Sequence, residues 1–333
     1  MTGNCERVLG DPHPRIEACE IEGGADTVPS DASLRKVAED GTLLASCALW
    51  WRATPPYAGR RTGLIGRYRS ADARSGEALI AHACAVLVRR ECEFVIGPMD
   101  GSTWDDYRFV TARGTAPRFF LEPDNDGDWP RQFARCGFVP IARYRSALQA
   151  DLHYEDPRLG RVGERLAREG VLMRSIDPHR FGEELQRLHA LAVAGFRGQP
   201  FFMPIGEQAF VRRYAAILPF LRPDFVLVAE RSGTPVALFL ALPDLAQAER
   251  GERVDTAIVK TVVALPQRAY AGVAHLLAAR AAAVAREAGF RRAIHALMGV
   301  ANASAHWSAR TGATLRHYAL FGRPLECSAT GGS

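Results

Sequence analysis

The chain has 333 residues, 47% of them hydrophobic, and a formal charge of +5 from 42 Lys and Arg against 37 Asp and Glu. That is apolar material for one large or two medium cores, with a charge too mild to demand nucleic acid but suited to an anionic ligand. Seven cysteines without a Cys-x-x-Cys pair and nine histidines without His-Glu-x-x-His spacing argue against a disulfide framework or a zinc site, and with no basic-apolar leader and no apolar run near the ~20 residues of a membrane span, the expectation is a cytoplasmic protein with no membrane partner.

Residues 1–38 are rich in Gly, Pro, Asp and Glu and read as an irregular lead-in. Leu43 to Trp51 and Thr62 to Tyr68 read as strands of a hairpin across Pro55-Pro56. Ser75 to Arg90 has Leu79, Ile80, Ala83 and Leu87 on one face, which predicts a helix. Phe94 to Ile96 is a short strand, and a polar, proline-interrupted region follows. A helix beginning at Asp128 stops at Gly137, and Phe138 to Leu148 is a strand. Asp151 to Arg168 is charged and helix-prone, a connector.

The second part opens with a strand from Val171 to Ile176 and a helix from Asp177 or Pro178 to Ala194, with Phe181, Leu185, Leu188 and Leu191 buried. Phe196 to Ile205 is apolar but full of helix breakers. A helix from Glu207 to Leu218 precedes a hairpin of Phe225–Glu230 and Pro235–Leu242 around Ser232-Gly233. Thr256 to Leu265 is a β-branched strand closed by Pro266, since proline cannot donate to a ladder. After Gly272, an Ala/Leu-rich helix runs from Val273 to Ala288 and stops at Gly289. Ala293 to Met298 is a strand, Asn302 or Ser304 caps a helix ending near Gly312, and Tyr318 to Phe321 lies in the last strand.

Strand, glycine turn, helix and strand make a crossover unit, in which amides at the helix start and the helix dipole favour a pyrophosphate. No Gly-x-Gly-x-x-Gly or Gly-Lys-Ser/Thr motif accompanies it. The stretch is similar to the acyl-CoA-binding half of the GNAT acyltransferase superfamily. That family carries Gln/Arg-x-x-Gly-x-Gly/Ala between its fourth strand and third helix. Gly272 and Ala274 match the end of this turn, while its basic position falls on Ala269, one place after Arg268. The family's next landmarks are an Asn after the fifth strand, a Tyr seven residues on, and a Gly. Asn302 and Gly312 match, but Ala309 stands where the tyrosine would, so the usual leaving-group acid is absent from its usual place.

The halves echo each other. Met99 and Met298, 199 positions apart (298 minus 99), each end a strand and are followed by a polar cap and a tryptophan, Trp104 or Trp307. Each half then has a helix ending at a glycine, and a strand with Arg143-Tyr144 or His317-Tyr318. The expectation is an α/β protein (a mixed α+β sheet) of two GNAT-like acyltransferase domains in tandem: a degenerate one over 39–150, a connector over 151–170, and an acyl-CoA-binding one over 171–326. The first half has no such turn between Arg69 and Gly76, and would serve as scaffold, lid or acceptor wall.

The resemblance implies acetyl-CoA or another acyl-CoA as co-substrate and a small-molecule or peptide-like amine as acceptor. Backbone at Val262, Val263 and Ala264 would hold the pantetheine. The turn Arg268, Ala269, Tyr270, Ala271, Gly272, Val273 and Ala274 would hold the pyrophosphate. Attack on the thioester needs a base, and His295 is the first choice because imidazole titrates near neutrality; the alternative is a structural histidine. Tyr318 is the candidate acid. Asn302 is placed with the cofactor site, or caps a helix. Lys260 either binds an acidic acceptor or pairs with Asp255 or Glu230, the latter being preferred. Trp104 and Trp307 are core residues rather than stacking platforms. Phe196–Ile205 either covers the acceptor site or packs on its own domain. Two other functions stay open: a Fem-type transferase using aminoacyl-tRNA, which no basic arm supports, and a non-catalytic acyl-CoA-binding protein.

Overall fold

The computed structural model describes residues 15–19, 29–153, 156–302, 308 and 312–326. Ser304, Trp307 and Ala309, and most of the helix expected between Asn302 and Gly312, lie outside the described residues. In chain order the first part contains β1 (Arg15–Cys19), β2 (Ala32–Val37), β3 (Leu43–Trp50), β4 (Thr62–Ser70), α1 (Ala73–Arg89), β5 (Phe94–Gly97), β6 (Phe109–Ala112), α2 (Trp129–Arg135) and β7 (Val139–Gln149). The second contains α3 (Leu159–Arg168), β8 (Val171–Ser175), α4 (Phe181–Phe196), α5 (Glu207–Ala215), β9 (Val226–Arg231), β10 (Thr234–Pro243), α6 (Leu245–Glu249), β11 (Thr256–Ala264), α7 (Val273–Glu287), β12 (Arg292–Gly299) and β13 (Ala313–Pro324).

Each half runs antiparallel strands into a crossover helix and a parallel strand. In the first, β4 pairs parallel with β5 across α1; in the second, β11 pairs parallel with β12 across α7. Helix α1 buries Leu79, Ile80, Ala83 and Leu87, the predicted face, and its first turn is capped by the Asp72 carboxylate, which accepts from the Ser75 amide at 2.8 Å. Helix α7 begins after Gly272 in the left-handed region (φ 84°) and is closed by Gly289 (φ 84°), as its sequence predicts.

Two features differ from the expectation. The lead-in is not wholly irregular: Arg15–Cys19 and Ala32–Val37 are strands paired to each other, and β2 also pairs with β3. The helix-prone connector forms α3, in keeping with its sequence. The second domain is not self-contained, because the halves exchange their closing strands. The sheet order is β1-β2-β3-β4-β5-β13-β7-β12-β11-β10-β9-β8, with β6 also on β13. Thus β13, from the second half, lies beside β5 of the first, and β7, from the first, lies beside β12 of the second. At the centre β7 and β13 pair antiparallel, with Tyr144 opposite Tyr318. These are the residues of the internal echo, so the two halves meet at matching positions.

A buried polar chain fixes this seam. The Leu297 amide donates to Ser146 Oγ at 3.0 Å, Ser146 Oγ and the Tyr318 hydroxyl are 3.0 Å apart, and Tyr318 donates to Glu122. Arg316 completes the chain as an ion pair, with its Nε 2.8 Å from Glu122 Oε1. Buried polar groups are tolerable when so connected.

Candidate active site

Parallel pairing of β11 with β12 ends at Val259 opposite His295, and the strands then separate. Two irregularities lie abreast at that point. In β11, Lys260 is an extra residue: Leu240 of β10 faces Thr261 and Ala241 faces Val259, which leaves Lys260 opposite nothing. In β12, the register against β7 shifts between His295 and Met298, and Leu297 adopts φ 58°. Its amide is taken by Ser146, and its carbonyl accepts from Arg108 Nη1 at 2.9 Å. So β12 is pulled toward β7 and away from β11. The result is a wedge between Thr261–Ala264 and Ala296–Gly299, with Lys260 at its head.

The predicted pantetheine residues lie along the β11 side of this wedge. The bulge sets their phase: Val262 and Ala264 pack toward α7, while Val263 is buried against the α4 layer. At the wide end stands the turn Arg268–Tyr270, whose own amides are partly used: Tyr270 donates to the Gln267 carbonyl at 2.9 Å and Ala271 to that of Arg268 at 3.1 Å. Among the described residues, the amides of Gly272, Val273 and Ala274 take no protein acceptor, and no side chain caps α7. The amide donors are therefore concentrated at the end of the predicted turn. Arg165 of α3 braces the turn from behind, donating to the Ala269 carbonyl at 2.7 Å and to that of Ala271. A Cβ on Gly272 would come within 2.9 Å of Val162, so α3 packs against the turn closely. Arg268 is exposed, with no ion pair among the described residues.

The structure does not bring the predicted acid and base to this wedge. His295 is 3% exposed and faces a narrow cavity of roughly 50 Å³ under α7, formed where Ala278, Ala281, Ala282 and Ala285 are too small to fill the space above Phe225 and Phe239. Burial pulls its pKa down to about 4, which makes it a weak base. Tyr318 lies three strands from β11, 1% exposed, with its hydroxyl committed to Glu122. Burial, reinforced by that carboxylate, raises its pKa. Asn302 reaches across instead to the Phe196–Ile205 segment, donating to Gln199 Oε1 at 3.0 Å.

That segment is anchored on the first half. Trp104 is edge-on to Phe196, Phe202 and Phe210, and its Nε1 donates to the Met203 carbonyl at 2.7 Å. Phe201 stacks on Tyr57. Trp104 thus joins the two halves, beside the wedge rather than in a private core.

Lys260 does not make the expected ion pair. Glu230 is taken by Arg174 and Arg187, and Asp255 by Arg292. The charged groups that act on Lys260 are Arg213 of α5 and Arg108 and Asp106 from the first half. Its side chain keeps an opening to solvent but is crowded by protein elsewhere. This desolvation, followed by Arg213 and Arg108, lowers its pKa, with Asp106 acting the other way. Asp106, Arg108 and Arg213 carried no motif in the sequence. The one available signal was a lysine set in a β-branched strand of a chain whose only other lysine is Lys36.

Among the described residues no cluster of potential metal ligands occurs, and no helix is long and apolar enough to cross a membrane. No protein-family model matches the sequence, and no curated protein matches it. Solved structures do. The chain is similar to the GCN5-related glucosamine N-acetyltransferase region of a fungal multi-domain GH3 β-N-acetylglucosaminidase, at 15% identity and a TM-score of 0.51 over 88% of this chain and 33% of that one. It thus spans a third of that protein's length. It also resembles a GCN5-related N-acetyltransferase from Sphaerobacter thermophilus (16% identity, TM-score 0.48, 89% of this chain and 81% of that one). A tandem GNAT protein from the clavulanic acid biosynthesis pathway matches at 13% identity and a TM-score of 0.46, over 96% of this chain and 86% of that one. At such identities the likeness concerns the fold: the chain is built as two GNAT-like folds in tandem, joined through one mixed sheet.

Proposed function

We propose that the protein is an acyltransferase that takes an acyl group from acyl-CoA at the second half's wedge and delivers it to an amine. One observation carries this reading: the wedge opens beside the uncapped start of α7, so a strand edge and a set of free amides lie in one continuous path. The edge at Thr261–Ala264 suits the amide-bearing pantetheine arm, which can extend a sheet as a strand does. The amides of Gly272, Val273 and Ala274, with Arg268 nearby, suit the pyrophosphate. The thioester would then lie toward Lys260. The amine attacks the carbonyl carbon, the C–S bond breaks, CoA leaves as the thiolate, and the proton lost by the amine passes through solvent or a neighbouring base to the thiolate sulfur, giving the free thiol. We assign no proton transfer to His295 or Tyr318, given their burial.

Thermal unfolding with CoA, acetyl-CoA and longer acyl-CoAs tests this. A ligand at a hundredfold its Kd that binds only the folded chain adds about 2.7 kcal/mol. A rise in Tm with these ligands, absent in Gly272→Glu, is expected. No rise with any of them sinks the reading.

A further inference from the structure

The head of the wedge carries more positive charge than its surroundings neutralise. Arg108 is 8% exposed, yet among the described residues no carboxylate lies within ion-pair distance of it. It is held by neutral groups: the Tyr107 ring at 3.7 Å, the Tyr144 ring at 4.2 Å and the Leu297 carbonyl at 2.9 Å. Lys260 likewise takes no ion pair or hydrogen bond among the described residues. Arg213, the third cation, is already balanced by Asp105 at 2.6 Å. Asp106 is in electrostatic reach of Lys260 but exposed and unbridged to it. A buried cation without a counter-charge is expensive, and here Arg108 is tied to the Leu297 carbonyl of β12 while Lys260 stands at the bulge of β11, on the two strands just past the point where they part.

A single carboxylate would balance this arrangement. Arginine offers it a planar pair of donors, and lysine a point charge on a flexible stem. The chain places arginine at all but two of its basic positions, so a lysine here supplies a stem that can adjust to its ligand. We propose that the acceptor amine carries a carboxylate, that Lys260 and Arg108 receive it, and that the substrate is therefore an amino acid or an amino-acid-like molecule. This rests on the acyl-transfer reading for the amine's fate, but the binding of the carboxylate does not. The other source of a carboxylate at this place is the donor, as in succinyl-CoA.

The test compares amino acids with their decarboxylated amines, such as histidine with histamine, phenylalanine with phenethylamine and ornithine with putrescine. Each pair is assayed for CoA release from acetyl-CoA and, without any donor, for a thermal shift. The variant is Lys260→Gln, which removes the charge and keeps most of the stem of a side chain that reaches solvent. At least a tenfold advantage in kcat/KM for the preferred amino acid over its amine is expected, erased in Lys260→Gln mainly through KM. The amino acid alone should raise Tm in the wild type and not in the variant. If the amines serve as well as the amino acids, or the variant keeps the preference, the proposal is wrong. If Lys260→Gln instead erases a preference for succinyl-CoA over acetyl-CoA, the carboxylate belongs to the donor and the acceptor assignment falls. Should acyl-CoA fail altogether, the donor-free thermal shift still decides: a shift lost in Lys260→Gln upholds carboxylate binding, and its absence in the wild type overturns it.

Discussion

In the first half β4 and β5 part after Leu64 and Ile96, and in the second β11 and β12 part after Val259 and His295. The first opening is stitched shut. The Met99 amide donates to the Ile65 carbonyl at 2.9 Å, and the Arg67 amide to Asp100 Oδ1 at 2.6 Å. Gly66 lies so close to the Met99 carbonyl that a Cβ would collide with it. The helix start beside it is occupied too, by the Asp72 carboxylate. Among the described residues of the second half none of these closures is made, and the helix start is left to a left-handed glycine. The same crossover unit thus becomes scaffold or site according to whether its own side chains consume the amides. A carboxylate cap stabilises the helix and repels a phosphate with the same charge.

The largest expected effect follows from exchanging these features. In Ala274→Asp, an acid enters the first turn of α7, where it should add about 0.3–1 kcal/mol to the apo protein through the helix dipole. It should also abolish the rise in Tm given by CoA. The mirror change, Asp72→Ala, should cost about 1 kcal/mol, the usual loss for a cap, and leave the CoA shift untouched. Urea unfolding with and without CoA reads both. A CoA shift that survives Ala274→Asp but disappears in Asp72→Ala would transfer the cofactor to the first half.

A smaller effect concerns the seam. Tyr318→Phe leaves the buried Glu122 and Ser146 with one partner fewer and should cost about 1–3 kcal/mol. Acyl transfer, scored in protein verified as folded, should change only a few-fold. Loss of turnover in a fully folded Tyr318→Phe protein would return the tyrosine to the reaction as an acid.

Much of this architecture was legible because it rests on local chemistry. Gly272 and Gly289 announce the ends of α7, Ser232-Gly233 its hairpin, and the β-branched run Thr256–Leu265 its strand. The tandem repeat showed in the spacing of Met99 and Met298. The exchange of β7 and β13 did not, since a strand's alternation says nothing about which neighbour it pairs with. The site was half legible for the same reason. The turn and strand edge are contiguous in sequence, whereas the cations at the wedge come from positions 108, 213 and 260 and converge only through the exchanged sheet. The choice between base and structural histidine at His295 could not be made from sequence, because a histidine's usefulness depends on burial, and the Ala-rich face of α7 that buries it becomes informative only once the helix lies over β12.

The last contrast is in how the two halves respond to pH. In the first, Asp100 has its pKa raised to about 6, chiefly by burial and against the pull of the Arg67 amide. Its native state binds a proton more tightly than the unfolded chain, so its contribution is complete below about pH 4 and is lost as pH rises through 6. In the second, His295 is lowered to about 4, and its contribution is complete above about pH 6.5 and is lost as pH falls toward 4. Each is worth on the order of 1–3 kcal/mol, with opposite sign over the same window, so the wild type masks both. Asp100→Asn keeps an oxygen for the Arg67 amide and removes the charge. Its stability should climb from pH 4.5 to 6.5 more steeply than the wild type's. His295→Gln should do the reverse, flattening or inverting the climb. Urea midpoints at the two pH values measure this directly. If both variants keep the wild-type slope, neither group is as desolvated as its position implies, and an accessible His295 would regain its claim as the base.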